Sequence, residues 1–214
     1  MHITEIYHRQ VVVCILYLAK CYYMPNLDII TDSKESIQHS FDRIATDLIH
    51  NWHLKVNDTL YSFTEIEFYF FMTDIHQDTA SREHNYDKGF WRFHQKGLDI
   101  TFQSQDNSDG GILIRGLKTR TEYINGPVLV LEHIFRKMDS IIMLNKEFGL
   151  VLKPEPSNEP IYKTQRHELP DNPENEFKKE LYRYFINLEH WNKRHINPLE
   201  RARIRKSSVL VKSL

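Results

Sequence analysis

Apolar residues follow two different periods along the first part of the chain. Over residues 33–51 they recur at helical spacing after a helix start at Asp32 or Ser33, which predicts an amphipathic helix packed on a core. From 54 to 118 the aromatic and apolar residues follow the shorter period of β-strands, interrupted by a polar loop at 73–88. This part of the chain is therefore predicted to be mostly β-structure.

The later elements are shorter. A strong turn signal at 106–111 separates two strands, and the Gly-Pro step at 126–127 predicts a second helix to about residue 138. The predicted apolar side of this helix consists of Leu129, Leu131, Ile134 and Phe135. A Pro-rich connector at 153–160 precedes a late strand at 182–186.

The order of elements predicts an α+β fold. We expect a single domain at 33–192, in which a curved, mostly antiparallel sheet is flanked by a few helices. It follows an N-terminal extension at 1–32 and precedes a basic tail at 193–214. Residues 1–23 are expected either to form an appended element or to precede the physiological start at Met24.

Composition narrows the class of protein only mildly. The formal net charge of −1 gives no overall field that attracts nucleic acid, and two cysteines fit a reducing compartment. The apolar run at 11–23 is too short to span a bilayer and contains Lys20. We expect a cytoplasmic monomer that does not associate with membranes.

Charged residues within predicted buried strands mark a candidate site. Glu65 and Glu67 point to one face of the aromatic strand at 61–71, and Arg115 lies in the apolar run at 111–117. A charge on a buried strand is costly unless it is paired or used. The acids and the arginine are therefore predicted to share a polar site.

A second polar row lies nearby. In a strand, Arg92, His94 and Lys96 share one face, and a turn at Gly97 would redirect Asp99 towards them. Such a row fits a small polar ligand, for example a modified nucleoside or nucleotide. A metal site is a competing interpretation that lacks any tight ligand spacing. Its candidate ligands are Glu67, His76, Asp78, His84, Asp87, His94 and Asp99.

In chain order, these segments resemble the alkyladenine (methylpurine) DNA glycosylase family over roughly residues 38–192. The matching segments are Thr64-Glu-Ile-Glu-Phe-Tyr69, Phe93 to Gln103, Gly111-Ile-Leu-Ile-Arg-Gly-Leu117, Gly126-Pro127, Thr164-Gln-Arg166 and Tyr182-Arg-Tyr-Phe-Ile186. The resemblance implies that family's fold and the excision of alkylated or deaminated purines from DNA by flipping the nucleotide into a pocket.

The resemblance also implies roles for individual residues. Glu67 would activate the attacking water and Arg115 would be its electrostatic partner, in a monofunctional enzyme without a cofactor or metal. The base pocket would contain Tyr69, His84 and Phe93, with His76 as the alternative histidine.

Two positions depart from the family pattern. Lys96 stands where the family inserts an aromatic wedge into the duplex, and Gln103 stands where it has a pocket asparagine. A lysine contacts phosphate rather than filling a base stack. The resemblance as a whole still implies an enzyme whose partner is damaged DNA. The alternatives are a non-catalytic nucleic-acid or nucleoside-binding protein on the same fold, and a metal-dependent hydrolase of a nucleoside-like substrate.

Overall fold

The computed structural model describes residues 24–81, 83, 86–102, 107–138, 147–166, 169, 175–190 and 198–211. Over these ranges the chain forms an α+β unit with one mostly antiparallel open sheet and three α-helices. None of these helices is long and apolar enough to cross a bilayer. The hypotheses about residues 1–23 lie outside the described residues.

The elements alternate along the chain. The helices are α1 (Lys34–Asn51), α2 (Pro127–Met138) and α3 (Pro198–Ser207), with short 3₁₀ helices at Glu176–Lys179 and Leu188–His190. The strands are β1 (Trp52–Val56), β2 (Thr59–Met72), β3 (His76–Gln77), β4 (Trp91–His94), β5 (Gly97–Thr101), β6 (Ser108–Lys118), β7 (Tyr123–Asn125), β8 (Phe148–Leu152), β9 (Tyr162–Thr164), β10 (Arg183–Phe185) and β11 (Val209–Leu210).

The sheet is organised around the two longest strands, β2 and β6. Its main path runs β11-β9-β10-β2-β6-β5-β4, while β1 and β3 also pair with β2, β7 pairs with β6, and β8 pairs with β1. Each of these pairings is antiparallel. The late strand predicted at 182–186 is β10, and it lies directly beside β2.

Helix α1 confirms the predicted amphipathic helix and selects Ser33 as its N-cap. The Ser33 hydroxyl accepts a hydrogen bond from the Ser36 amide, and the Ser36 hydroxyl accepts one from the Ser33 amide. These reciprocal bonds satisfy amide donors that have no partner inside the helix. On the buried side, the Phe41 ring stacks on Phe68 of β2 at a centroid distance of 4.5 Å.

Helix α2 covers the predicted range, but its apolar face is rotated from the prediction. Leu131 and Ile134 are buried as expected, and Val130 joins them in the core. The prediction for Phe135 was wrong, because this side chain is 46% exposed and stacks on Phe93 at the surface. Residues at 130, 131 and 134 form one stripe of the helix, and Phe135 lies beside it.

The predicted basic tail contributes to the fold where it is described. Helix α3 buries Ile204 against Phe185 and Leu188 in a second apolar cluster. The strand that follows pairs Val209 with Lys163 of β9 at the edge of the sheet. Ile204 therefore anchors a helix that is rich in charged residues.

An irregularity in β2 changes which of its residues face the core. Tyr61 and Phe63 lie in the core, and so do Ile66 and Phe68. The three-residue step from Phe63 to Ile66 breaks the two-residue period of a strand. It arises because Thr64 is an extra residue at a β-bulge.

A second irregularity, in β6, compensates for the first. Arg115 is the extra residue there, between Gly116, which pairs with Glu65, and Ile114, where the original register resumes. The two bulges keep apolar residues of both strands on the core side. They place Glu65, Glu67 and Arg115 together, so that these side chains contact one another.

We expect Gly116→Ala to disturb this arrangement. An added Cβ would lie 2.6 Å from the Thr64 hydroxyl and 3.0 Å from the Glu65 Cβ, so one of the two bulges must shift. We expect a loss of about 1–3 kcal/mol in the free energy of unfolding, measured by urea titration.

Gly149→Ala in β8 is the matched control, because an added Cβ there meets nothing within 4 Å. It should leave the free energy of unfolding within about 0.5 kcal/mol of wild type. Equal effects of the two substitutions would show that the bulges are not tightly packed.

Candidate functional site

A cavity of about 670 Å³ is bounded by β2, β4, β5, β6, β7 and β10 and by the start of α2. Its volume lies in the range of pockets that bind small molecules or nucleosides. The lining residues are Glu65, Tyr69, Thr79, Ala80, Ser81, Arg92, His94, Lys96, Asp99, Gly110, Gly111, Leu113, Arg115, Asn125, Gly126, Pro127, Val128, Leu129, Leu169 and Arg183.

Two carboxylates and two arginines form a buried cluster at this cavity. Arg115 Nε and Arg183 Nε donate to the same oxygen, Glu65 Oε1, at 2.7 Å and 2.8 Å. Arg115 Nη1 also donates to Glu67 Oε2 at 3.3 Å, and Arg183 Nε lies 3.8 Å from Glu67 Oε1. All four residues are at least nine-tenths buried. The charges cancel, as buried charges must if the folded state is to tolerate them.

Strand pairing brings this cluster together. Arg183 of β10 is the direct cross-strand partner of Glu67, while the bulge in β6 brings Arg115 next to Glu65. Opposite charges on neighbouring strands attract across the short distance between adjacent side chains. The predicted pairing of Arg115 with this strand's carboxylates is therefore present, with Glu65 as its shorter contact.

The arginines decide the charge of Glu65. Burial alone would raise its pKa, but Arg183 and Arg115, by charge and by hydrogen bonding, hold the pKa of Glu65 below its ordinary value. Burial opposes the charged form of Arg115, yet the two carboxylates raise the pKa of Arg115. Glu65 and Arg115 are therefore both charged at neutral pH.

Tyr69 links this cluster to a second buried ion pair. Its hydroxyl donates to Glu67 Oε2 at 2.8 Å, and burial together with the Glu67 charge raises the pKa of Tyr69. The Arg166 guanidinium lies over the Tyr69 ring, 4.7 Å from its centroid, and donates to both oxygens of Asp78. Burial and the neighbouring Glu67 charge therefore keep the Tyr69 hydroxyl in its neutral, donating form.

A further charged group lines another part of the cavity. Asp99 Oδ2 accepts from Arg92 Nη2 at 2.6 Å and from Arg92 Nε at 3.1 Å. His94 Nε2 lies 3.0 Å from the same oxygen but is not aligned for a hydrogen bond, while His94 Nδ1 accepts the Lys96 amide. The Lys96 side chain is exposed at the cavity. The predicted polar row of Arg92, His94, Lys96 and Asp99 therefore does line one cavity.

The structure separates other predicted residues from this cavity. Phe93 lies on the opposite side of β4, stacked on Phe135 at 5.4 Å, and does not line it. His76 is fully buried in the core, where Nδ1 donates to the Phe70 carbonyl and Nε2 accepts from Tyr182. Burial lowers the pKa of His76, which keeps its ring neutral. His84 and Gln103 lie outside the described residues.

The two predicted strand carboxylates do not have the same exposure to the cavity. Glu65 lines it, whereas Glu67 is fully buried behind the hydrogen bonds from Tyr69 and Arg115. Both arginines bind Glu65 through Oε1. The catalytic role implied for Glu67 stays a prediction.

Sequence reasoning assigned no role to Arg183 or Asn125, both of which line the cavity. Arg183 had a detectable signal, because it interrupts an aromatic strand in the same way as Arg115 does. Asn125 had none, since an asparagine before Gly-Pro is an ordinary helix-start residue. Across the described ranges, no group of three or more His, Cys, Asp or Glu side chains is placed to hold a metal ion.

The arrangement suits the stabilisation of positive charge. An ionised carboxylate oxygen at the cavity attracts a cationic centre and can accept a hydrogen bond from water. The same carboxylate is a poor proton donor at neutral pH, because its pKa is lowered. Hydrogen-bond donors at the cavity include the side chains of Lys96 and the arginines.

The cluster should make stability depend on pH in a defined direction. A carboxylate with a lowered folded-state pKa stabilises the fold above its ordinary pKa of 4.5, and this contribution is lost as the pH falls through the folded value. We expect Glu65→Gln to cost about 3–5 kcal/mol at pH 7, because it leaves buried arginine charge uncompensated. In urea unfolding the gap to wild type should narrow at about pH 3.

Glu155→Gln, at an exposed position, controls for the loss of one negative charge. It should leave the free energy of unfolding nearly unchanged at both pH values. A Glu65→Gln penalty that is the same at both pH values would contradict an ionised Glu65 in the folded protein.

Comparison with known proteins adds no family to this description. No model of a known protein family matches the chain, and no curated protein sequence matches it significantly. The resemblance to the alkyladenine DNA glycosylases therefore stays a prediction. Support for a function comes from the chemistry of the cavity itself.

Proposed function

We propose that the protein hydrolyses the N-glycosidic bond of a damaged purine nucleotide in DNA, as the resemblance to alkyladenine DNA glycosylases implies. The observation that carries the proposal is Glu65, bound by Arg115 and Arg183 and neighboured by Glu67 on the same strand, at the lining of a cavity of about 670 Å³. A cavity of this volume accommodates a nucleobase with its sugar once the nucleotide has been flipped out of the duplex.

The reaction places positive charge where the site can stabilise it. As the bond between the base and the sugar lengthens, positive charge develops on the sugar carbon and its ring oxygen. A carboxylate fixed before the reaction stabilises this charge and orients the water that attacks the same carbon. The water's proton passes to the carboxylate, the base leaves with the bonding electrons, and no covalent intermediate is needed.

Glu65 and Glu67 are the two candidates for the carboxylate that contacts the substrate. The resemblance assigns the role to Glu67, whereas Glu65 is the one of the two that lines the cavity. Glu67 would reach the substrate only if Tyr69 gave up the hydrogen bond that it donates. Either carboxylate depends on Arg115, which binds both of them.

The lowered pKa of Glu65 favours one class of damaged base. A purine alkylated on a ring nitrogen carries positive charge and leaves without being protonated first. A deaminated purine is neutral and needs a proton donor, which Glu65 does not supply. The site is therefore better suited to alkylated purines than to deaminated ones.

A non-catalytic nucleoside-binding protein is the second candidate. The arginines already pair with both carboxylates, and Lys96 occupies the position where the glycosylases insert an aromatic wedge. A site used only for binding tolerates such closed pairs, since no carboxylate has to move. Base release distinguishes this candidate from the glycosylase.

The decisive experiment measures base release from duplex oligonucleotides that carry 3-methyladenine, 7-methylguanine or hypoxanthine. Wild type is compared with Glu65→Gln and Glu67→Gln in single-turnover assays. We expect the methylated bases to be released. Neutralising the carboxylate that contacts the sugar should lower the rate of release at least about 10²–10³-fold.

The two variants are matched in chemistry and lie two residues apart on one strand, so the larger loss identifies the reacting carboxylate. Circular dichroism must show that both variants are folded. Absence of release by wild type, or release undiminished in both variants, would reject the glycosylase proposal.

A further inference from the structure

Asn125 carries a buried amide that pairs with none of the described residues. The residue is 4% exposed, and neither Nδ2 nor Oδ1 has a hydrogen-bond partner among the described residues. Nearly all buried polar side-chain atoms in folded proteins are paired, because an unpaired one loses its hydration without compensation. An amide with two unmet requirements at the lining of a cavity therefore points to a ligand.

The position of Asn125 fits contact with a base whose sugar is near Glu65. Asn125 of β7 pairs with Gly116 of β6, and Gly116 pairs with Glu65 of β2. The three residues form one row across the sheet, so two strand spacings, about 9–10 Å, separate the Cα atoms of Asn125 and Glu65. This separation allows one side chain to contact the outer edge of a purine while the other contacts its sugar.

The amide also restricts what the ligand can be. Nδ2 needs an acceptor and Oδ1 needs a donor, and the two atoms are held side by side. A phosphate offers acceptors alone and would leave Oδ1 unmet, while an alkyl group satisfies neither atom. The matching partner is a ring edge with a donor next to an acceptor, as in adenine, with which asparagine forms two parallel hydrogen bonds.

The start of α2 supports the same orientation. Asn125 immediately precedes Gly126 and Pro127, and Val128 and Leu129 also line the cavity. The first amides of a helix have no acceptor one turn earlier, and they carry partial positive charge. Acceptor atoms of a purine ring are therefore favoured at this end of the cavity.

We propose that Asn125 determines specificity by binding the donor–acceptor edge of the purine, and so selects bases on which that edge is intact. The role rests on the proposed function in that the ligand is taken to be a purine. Adenine alkylated at N3 keeps its N1 and N6 edge. In 1,N6-ethenoadenine a two-carbon bridge joins these atoms and removes the donor, so this base would leave Oδ1 unpaired.

The test uses the whole chain and two free bases, adenine and 1,N6-ethenoadenine, titrated calorimetrically into wild type and Asn125→Leu. We expect wild type to bind adenine more tightly and Asn125→Leu to weaken adenine binding about 10- to 100-fold. Binding of the bridged base should stay within about threefold, since leucine has nearly the same size as asparagine.

A second measurement separates recognition from a structural role. In the absence of ligand, Asn125→Leu should raise the urea midpoint of unfolding, because it removes two unpaired buried groups. Thr64→Val is the matched control, since the Thr64 hydroxyl is also buried and unpaired but does not line the cavity. It should raise the midpoint and leave the affinities for both bases unchanged.

Each outcome bears on one proposal. A lower urea midpoint of unfolding for Asn125→Leu would show that Asn125 stabilises the fold. An equal loss of affinity for both bases would show that it does not select between them. Either result overturns the inference. Adenine binding that depends on Asn125, without any base release, would reject the glycosylase and retain the recognition. Base release at an unchanged rate in Asn125→Leu would retain the glycosylase and reject recognition of the purine by Asn125.

Discussion

The mutual neutralisation of Glu65, Glu67, Arg115 and Arg183 is the constraint on which the centre of this structure depends. Each charge is buried and would be strongly destabilising alone, so the register of three strands must bring all four together. The paired bulges in β2 and β6 meet this requirement without moving apolar residues out of the core. The two bulges and the charge cluster at the cavity therefore both follow from the register of these strands.

The periodic features of this protein could be predicted from the sequence because they depend on neighbours in the chain. The start of α1 at Ser33 and the shared face of Glu65 and Glu67 follow from local hydrogen bonding and strand alternation. Which carboxylate faces the cavity does not follow from alternation, since both lie on the same face. It depends on Arg183, which is distant in sequence and reaches Glu65 through the pairing of β10 with β2.

The wrong predictions for Phe93 and Phe135 have a related cause. Phe93 and His94 alternate in β4, so the sequence determines that they face opposite ways but not which of them faces the cavity. Helix α2 settles this, because Phe135 lies on the outer side of its buried stripe and gives Phe93 a stacking partner there. His94 and Arg92 then turn towards Asp99. The choice is tertiary and has no signature within either segment.

The contrast between satisfied charges and an unsatisfied amide gives the cavity its character. The buried cluster is electrically balanced, so its long-range field is small, and Lys96 is the charged residue at the cavity that attracts an anionic ligand. At short range the balance is different, because Glu65 lines the cavity and the Asn125 amide has no hydrogen-bond partner among the described residues. A neutral ring edge hydrogen-bonds to the amide without bringing charge into the cavity. Glu65 stabilises positive charge only as that charge develops on the sugar during the reaction. A site with these properties binds its ligand through shape and hydrogen bonds, and its charge stabilises the transition state more than the bound substrate.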